Sequence, residues 1–407
     1  MSPILSPMIH PSERATNFHY AIRNVVNAAE ALERRGRKVT YLNIGDPQSF
    51  GFRPPAEVIE AIERAAREKF TGYSHSAGLR EAREAIAQYA SALGAATTSD
   101  DVILSSGASE AADLVLTALV NPGDEVLLPG PGYPIYPAIV NKLGANFRYY
   151  YLNHKSNWQP SLDEVRSLIN ARTRAIVLIN PSNPTGAITS DETTKALLRL
   201  AAEHNLLVIS DEVYRELCFT TSPTSASVLA AETGASVVVL ESLSKTHMLS
   251  GWRVGWMRFT PAARMRELIA GVMRLASGRL CSSTLAQYAI APAVQGEQHS
   301  ISKFREEIRK RRDFATKRIA AIDGLSCTVP DAAFYLMVHV ADMGGRTDEQ
   351  FVLDLLEASN VLVVHGSGFG SDPKAGYFRL VYLADEALLG SALDAIESSL
   401  HARATVS

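Results

Sequence analysis

Between residues 100 and 260, short aliphatic or β-branched runs alternate with segments of helical periodicity. The runs are Val102–Leu104, Glu125–Leu128, Ala175–Ile179, Val208–Ser210 and Val237–Leu240. They carry no polar–apolar alternation, the pattern of strands covered on both faces. Strand, helix and strand at this spacing predict βαβ units and a mostly parallel sheet flanked by helices, an α/β fold. In such sheets ligands bind beyond the carboxyl ends of the strands, so the residues that follow each run are the first to inspect.

The flanks read differently. Residues 13–35 predict a helix, with Ala21, Val25, Ala28, Ala29 and Leu32 at helical spacing. A strand around Val39–Ile44, a turn-rich stretch from Gly45 to Pro55 and helices over 56–69 and 78–92 follow. After Ala262 the chain is mostly helical to about Asp323. It then shows strand-like Phe334–Val338, helical 348–358, strand-like Val361–Val364 and Phe378–Tyr382, and a last helix near 385–400. This α+β end predicts a second, smaller domain. The expected division is a large domain over 50–295 and a small one made of 1–49 and 296–407.

Composition narrows the function classes. The 407 residues are 46% hydrophobic and 20% charged, an ordinary globular balance. The net charge of −3 argues against a nucleic-acid-binding surface. No apolar run approaches the roughly 20 residues that span a bilayer, so no membrane association is expected. The start, MSPILSPMIHPSERA, lacks the pattern of a secretory signal. Cys218, Cys281 and Cys327 form no CxxC pair and suit a reducing, cytoplasmic setting as small core residues. No histidine pairing predicts a metal site.

Five motifs carry chemistry. Ser105-Ser106-Gly107-Ala108-Ser109-Glu110 follows the first run and opens a helix at 109–120. Small residues at a helix N-terminus make an anion cradle, or else a plain tight turn with Ser109 as its N-cap. Asn180-Pro181-Ser182-Asn183-Pro184-Thr185-Gly186 is a stiff loop at a strand end, with Asn183 as a fixed donor. Ser210-Asp211-Glu212-Val213-Tyr214 places a carboxylate at the sheet's end, where burial demands a cationic or donor partner. The competing reading is a capping Asp with a packing tyrosine. Ser242-Leu243-Ser244-Lys245 precedes Gly251-Trp252-Arg253-Val254-Gly255. A lysine held inside a domain has a lowered pKa and can form a Schiff base with a carbonyl, and the serines and Arg253 suit a phosphate. Arg379 lies in the apolar run Phe378-Arg379-Leu380-Val381. It is either a bidentate carboxylate clamp or an edge arginine reaching solvent.

The ordered set, NPSNPTG, SDEVY and SLSKTHMLSGWRVGW, resembles the class I (fold-type I) pyridoxal-phosphate-dependent aminotransferases over roughly residues 15–400. The resemblance implies pyridoxal 5'-phosphate as cofactor and an amino acid and a 2-oxo acid as substrates. It implies Lys245 as the lysine that carries the cofactor and moves the proton. Asp211 becomes the partner of the pyridine nitrogen, Asn183 and Tyr214 the donors to the phenolic oxygen, and Tyr133 the stacking aromatic. Ala108, Ser109, Ser242, Ser244 and Arg253 become the phosphate grip. Arg379 becomes the clamp on the substrate α-carboxylate, beside the backbone of Gly45. Tyr73, in Gly72-Tyr73-Ser74, is implied to reach the phosphate of a neighbouring subunit, hence a homodimer with shared active sites.

Within the class, the segments Tyr20-Ala21-Ile22-Arg23, Leu42-Asn43-Ile44-Gly45-Asp46-Pro47 and Arg279-Leu280-Cys281 look closest to the glutamate–pyruvate (alanine) aminotransferases. The expected reaction is ping-pong transamination between alanine/pyruvate and glutamate/2-oxoglutarate. Tyr20 and Arg23 are implied to border the substrate pocket, Arg23 either meeting the side-chain carboxylate of glutamate or standing as a surface charge. His247 departs from the aromatic expected there and predicts a different pocket rim. The alternatives are an aromatic, branched-chain or other-substrate aminotransferase, or a β-lyase on the same scaffold. A non-catalytic regulator is the other class. It is disfavoured by the intact Lys, Asp and Arg set and by the short stretch expected ahead of the first helix.

Overall fold

The structure, a computed structural model, describes residues 9–16, 21–296 and 299–404. Its strands are β1 (Thr40–Tyr41), β2 (Val102–Ser105), β3 (Glu125–Gly130), β4 (Asn146–Asn153), β5 (Gln159–Pro160), β6 (Thr173–Ile179) and β7 (Leu207–Asp211). They continue with β8 (Ser236–Ser242), β9 (Gly255–Thr260), β10 (Leu325–Cys327), β11 (Tyr335–Val340), β12 (Val361–Leu362), β13 (Val364–His365) and β14 (Tyr377–Val381).

The large sheet has the order β2-β9-β8-β7-β6-β3-β4-β5. The strands from β8 to β4 are parallel, while β9 runs antiparallel between β8 and β2. Alternate residues of one strand enter opposite cores. Val177 and Ile179 of β6 pack with Val115 of helix Ala108–Leu119 and Val272 of helix Arg266–Gly278. Ile176 and Leu178 pack with Leu197 and Ala201 of helix Asp191–Glu203 on the other face. Period-two side-chain direction thus makes an uninterrupted apolar run the right sequence for a strand between two helical layers.

The second sheet, β10-β11-β14-β13, is antiparallel throughout. Helices His299–Ala320, Asp348–Ser359 and Glu386–Ala404 cover it, and Val25, Ala29 and Leu32 of helix Ala21–Arg34 join the same core. A separate two-stranded parallel sheet, with Thr40↔Val361 and Tyr41↔Leu362 paired, ties the N-terminal segment to the chain just ahead of β13.

Four strands, β4, β5, β9 and β10, escape the sequence expectation, the short β5 and β10 for want of length. β4, NFRYYYLN, is largely accessible and lacks the aliphatic signature. β9 contains Arg258, whose charge mimics a surface segment; it is buried, with Nε 2.7 Å from Glu241. The strand expected over Val39–Ile44 contracts to β1, because beyond Leu42 the backbone turns away toward the cavity and presents its Asn43 carbonyl to Arg379. The helix expected over 13–35 appears as Glu13–Thr16 and Ala21–Arg34, with 17–20 outside the described residues.

From β3 the chain steps outward to β4. From β6 it steps the opposite way through β7 to β8. The reversal lies at the β3–β6 boundary, where a doubly wound sheet opens its ligand crevice.

Candidate active site

A cavity of about 540 Å³ opens at this crevice, between the two sheets. It is lined by Gly45, Ala108, Ser109, Tyr133, Asn183, Asp211, Tyr214, Ser242, Ser244, Lys245, Arg253 and Arg379. Residues spread over more than three hundred positions of sequence meet because they lie in, or close to the ends of, strands that border the crevice.

β2 ends at Ser105, and Gly107 turns the chain with φ +84° into the helix that starts at Ala108. Ser109 is therefore inside the helix, and Gly107, not Ser109, occupies the cap. A side chain at Gly107 would bring Cβ within 2.5 Å of the Arg253 guanidinium. Gly255 of β9 lies so close to the Gly107–Ala108 peptide that its own Cβ would fall 2.5 Å from the Gly107 carbonyl carbon. Arg253 Nη1 donates to the Ser250 carbonyl at 2.9 Å and Nη2 to the Ser106 carbonyl at 3.0 Å. A guanidinium, free helix N–H groups and a buried Ser244 hydroxyl without a hydrogen-bond partner among the described residues thus converge on one corner. That donor set fits a phosphate. Ser242 lines the same cavity; its Oγ accepts from the Ser244 amide at 2.9 Å, capping the turn Leu243–Thr246, which leaves its O–H as a donor.

Opposite that corner Asp211 closes β7. Its carboxylate accepts from the Tyr136 hydroxyl at 2.8 Å and the Val213 amide at 3.3 Å. Burial raises its pKa to about 6, with both hydrogen bonds opposing. Among the described residues no cation pairs with Asp211, so the site offers a desolvated carboxylate that a cationic ring N–H would suit. Lys245 Nζ donates to the Gly45 carbonyl at 2.7 Å. Burial, with Arg379 and Arg253 nearby, lowers its pKa to about 8, while Asp46 pulls the other way. A useful fraction of neutral amine exists there at neutral pH.

Tyr214 follows β7 in a turn that leads into the 3₁₀ segment Arg215–Leu217, and its hydroxyl lies 2.7 Å from that of Tyr335. Asn180 clamps the NPSNPTG loop, with its side chain exchanging two 3.0 Å bonds with the Thr189 backbone. Asn183 Oδ1 accepts from Arg379 Nη1 at 3.0 Å, which turns the amide nitrogen toward the cavity as a donor. Arg379 is only 2% exposed. It lies on β14, between β11 and β13, which excludes the solvent-reaching edge reading. Its guanidinium sits 4.5 Å from the ring centroids of both Tyr335 and Phe369 and also donates to the Asn43 carbonyl.

Four expected residues are not among the described lining of this cavity. Tyr73 is 79% exposed and does not line this cavity. Tyr20 lies outside the described residues, as does the side chain of Arg23 in helix Ala21–Arg34; Val26, Asn27 and Glu30 of that helix line the cavity. His247 does not touch the rim. It is buried, with Nδ1 2.8 Å from the Thr246 hydroxyl and Nε2 3.0 Å from the Ala293 carbonyl. Tyr136, Tyr335 and Phe369 were missed. Tyr136 had one available signal, its place one helical turn after Tyr133.

The fit extends to known proteins. The sequence profile of the aminotransferase class I and II family matches residues 37–396. The glutamate–pyruvate aminotransferase AlaA of Haemophilus influenzae is 36% identical over 380 residues, covering 91% of this chain and 93% of that one. An alanine aminotransferase of Mycobacterium bovis is 35% identical, covering 96% and 92%. The solved alanine aminotransferase of Pyrococcus furiosus superposes with a TM-score of 0.93 at 39% identity, covering 96% of this chain and 99% of that one. With a crevice that presents a phosphate corner, a buried carboxylate, a low-pKa lysine and a clamped arginine, and with residues 37–396 matched to the family, the chain belongs to the pyridoxal-phosphate-dependent class I and II aminotransferases.

Proposed function

We propose that this aminotransferase exchanges the amino group between alanine/pyruvate and glutamate/2-oxoglutarate, in two half-reactions at one site. The observation that carries the reading is the convergence of Lys245, Asp211 and Arg379 on one cavity. The substrate pair rests on relatives named as glutamate–pyruvate and alanine aminotransferases.

When bound, pyridoxal 5'-phosphate supplies the electron sink that makes an amino-acid α-proton removable. Arg379 holds the α-carboxylate through its planar fork. Lys245 Nζ, with its pKa near 8, takes the α-proton and returns it on the other side of the exchange. Asp211 keeps the proton on the ring nitrogen. Asn183 and Tyr214 donate to the phenolic oxygen, and Tyr133 stacks on the ring. Ala108, Ser109, Ser242, Ser244 and Arg253 grip the phosphate. The residues at 1–49 and 296–407 act as a small domain that carries Arg379 against the large domain over 50–295. Arg23 receives the second carboxylate of glutamate, and Tyr20 borders the same pocket. Tyr73, exposed in its own subunit, serves the site of a partner subunit in a cytoplasmic homodimer.

Adding single amino acids to the holoenzyme and following the visible absorbance of the cofactor tests the reading. Alanine and glutamate should bleach the band, and pyruvate or 2-oxoglutarate should restore it. Faster bleaching by aromatic or branched-chain amino acids would reassign the substrate. Pyruvate and ammonia released without a keto-acid acceptor would replace transamination by β-elimination.

A further inference from the structure

Tyr335 touches both halves of the site. Its hydroxyl is 2.7 Å from that of Tyr214, and both are buried. Its ring lies 4.5 Å under the Arg379 guanidinium. The backbone of Gly45, whose carbonyl accepts from Lys245, packs against the same hydroxyl so closely that a Cβ at position 45 would overlap it. On β11 and β14, Tyr335 pairs with Val381 and Met337 with Arg379. Residues 335 and 337 therefore share a face with 379 and 381.

We propose that Tyr335 is a positioning residue that couples the carboxylate clamp Arg379 to Tyr214. The inference rests on the roles given above to Tyr214 and Arg379. A phenol hydroxyl has one proton and two lone pairs. If Tyr214 gives its proton to the cofactor's phenolic oxygen, the bond between the two tyrosines can only run from Tyr335 to Tyr214. Donation from Tyr335 polarises the Tyr214 O–H and makes it a stronger donor. Arg379 over the ring stabilises negative charge on the Tyr335 oxygen and so eases that donation; burial pushes the Tyr335 phenol up to about 12, with Arg379 opposing the rise. A carboxylate on Arg379 offsets the cation. The donation weakens, and the change is passed to the oxygen that Tyr214 holds.

The test uses the holoenzymes of the wild type, Tyr335→Phe, Tyr214→Phe and the double variant. The visible band is titrated with pH, with and without maleate as an unreactive dicarboxylate. Tyr335→Phe removes one hydroxyl and leaves the ring under Arg379. The titration midpoint should rise by roughly half a pH unit, about threefold in the equilibrium. The shift that maleate causes in the wild type should shrink. In the Tyr214→Phe background the second substitution should change nothing further, since its effect runs through Tyr214. A Tyr335→Phe midpoint equal to that of the wild type, or full additivity in the double variant, overturns the coupling. A wild type with no titrating band overturns the cofactor roles beneath it, which is a distinguishable result.

Discussion

Replacing Arg379 by Lys isolates what the fork contributes to substrate binding. The guanidinium is fixed before any substrate arrives: two aromatic rings bracket it at 4.5 Å, and Asn183 and the Asn43 carbonyl take one N–H from each terminal nitrogen. Arg379 also lines the cavity, where a planar fork suits a carboxylate. Lysine keeps the charge but offers a point donor, so one of the two parallel bonds to the carboxylate is lost. A hydrogen bond to a charged group contributes about 1.5–3 kcal/mol. The loss predicts a fall in kcat/KM of about 10- to 150-fold. Because the bond exists in ground and transition states alike, the fall should lie mainly in KM. Steady-state assays with alanine and 2-oxoglutarate would measure it, with the visible band as the control for cofactor retention. A kcat/KM within threefold of wild type, with cofactor bound, would refute the clamp.

Asp211→Asn should raise the stability of the cofactor-free protein at pH 7 by up to about 3 kcal/mol, seen as a higher Tm. The sign follows from a folded pKa raised from 3.8 to about 6: the unfolded chain loses its proton first, so stability falls as pH rises through that window and stays low above it. The same variant should lose several orders of magnitude in turnover, and an unchanged Tm or near-normal rate would contradict the desolvated carboxylate. Lys245→Ala should abolish both the borohydride-reducible adduct and transamination, and an adduct that persists would show another lysine at work. Gly255→Ala should weaken cofactor binding at least tenfold in an equilibrium titration, because its Cβ would displace the Gly107–Ala108 peptide that forms the phosphate corner. Unaltered affinity would mean the corner yields.

The parallel strands were legible because both their faces are buried, and the functional residues beside them because they sit at strand ends: Asp211, Lys245 and Asn183 each close or follow an apolar run. β9 was not, because Arg258 writes a surface charge into a strand that neutralises it with Glu241 from the neighbouring strand. Tyr136 and Tyr335 were not either. Nothing local marks a tyrosine whose hydroxyl finds its partner 75 or 121 positions away. Ser242 was legible by position, but its second task, accepting from the Ser244 amide, was not, since a hydroxyl at a turn also serves its own backbone.

The bond from Arg379 to the Asn43 carbonyl joins positions 336 apart. The bond closes a loop over most of the chain, and Asn183, Tyr335 and Phe369 add further non-local contacts to the same guanidinium. The carboxylate clamp is therefore among the last features a refolding chain completes, after the large sheet has closed over its helices. A refolding experiment should recover cofactor absorbance before it recovers affinity for amino acids. In that interval the protein would hold its cofactor yet have no means of selecting what reacts with it.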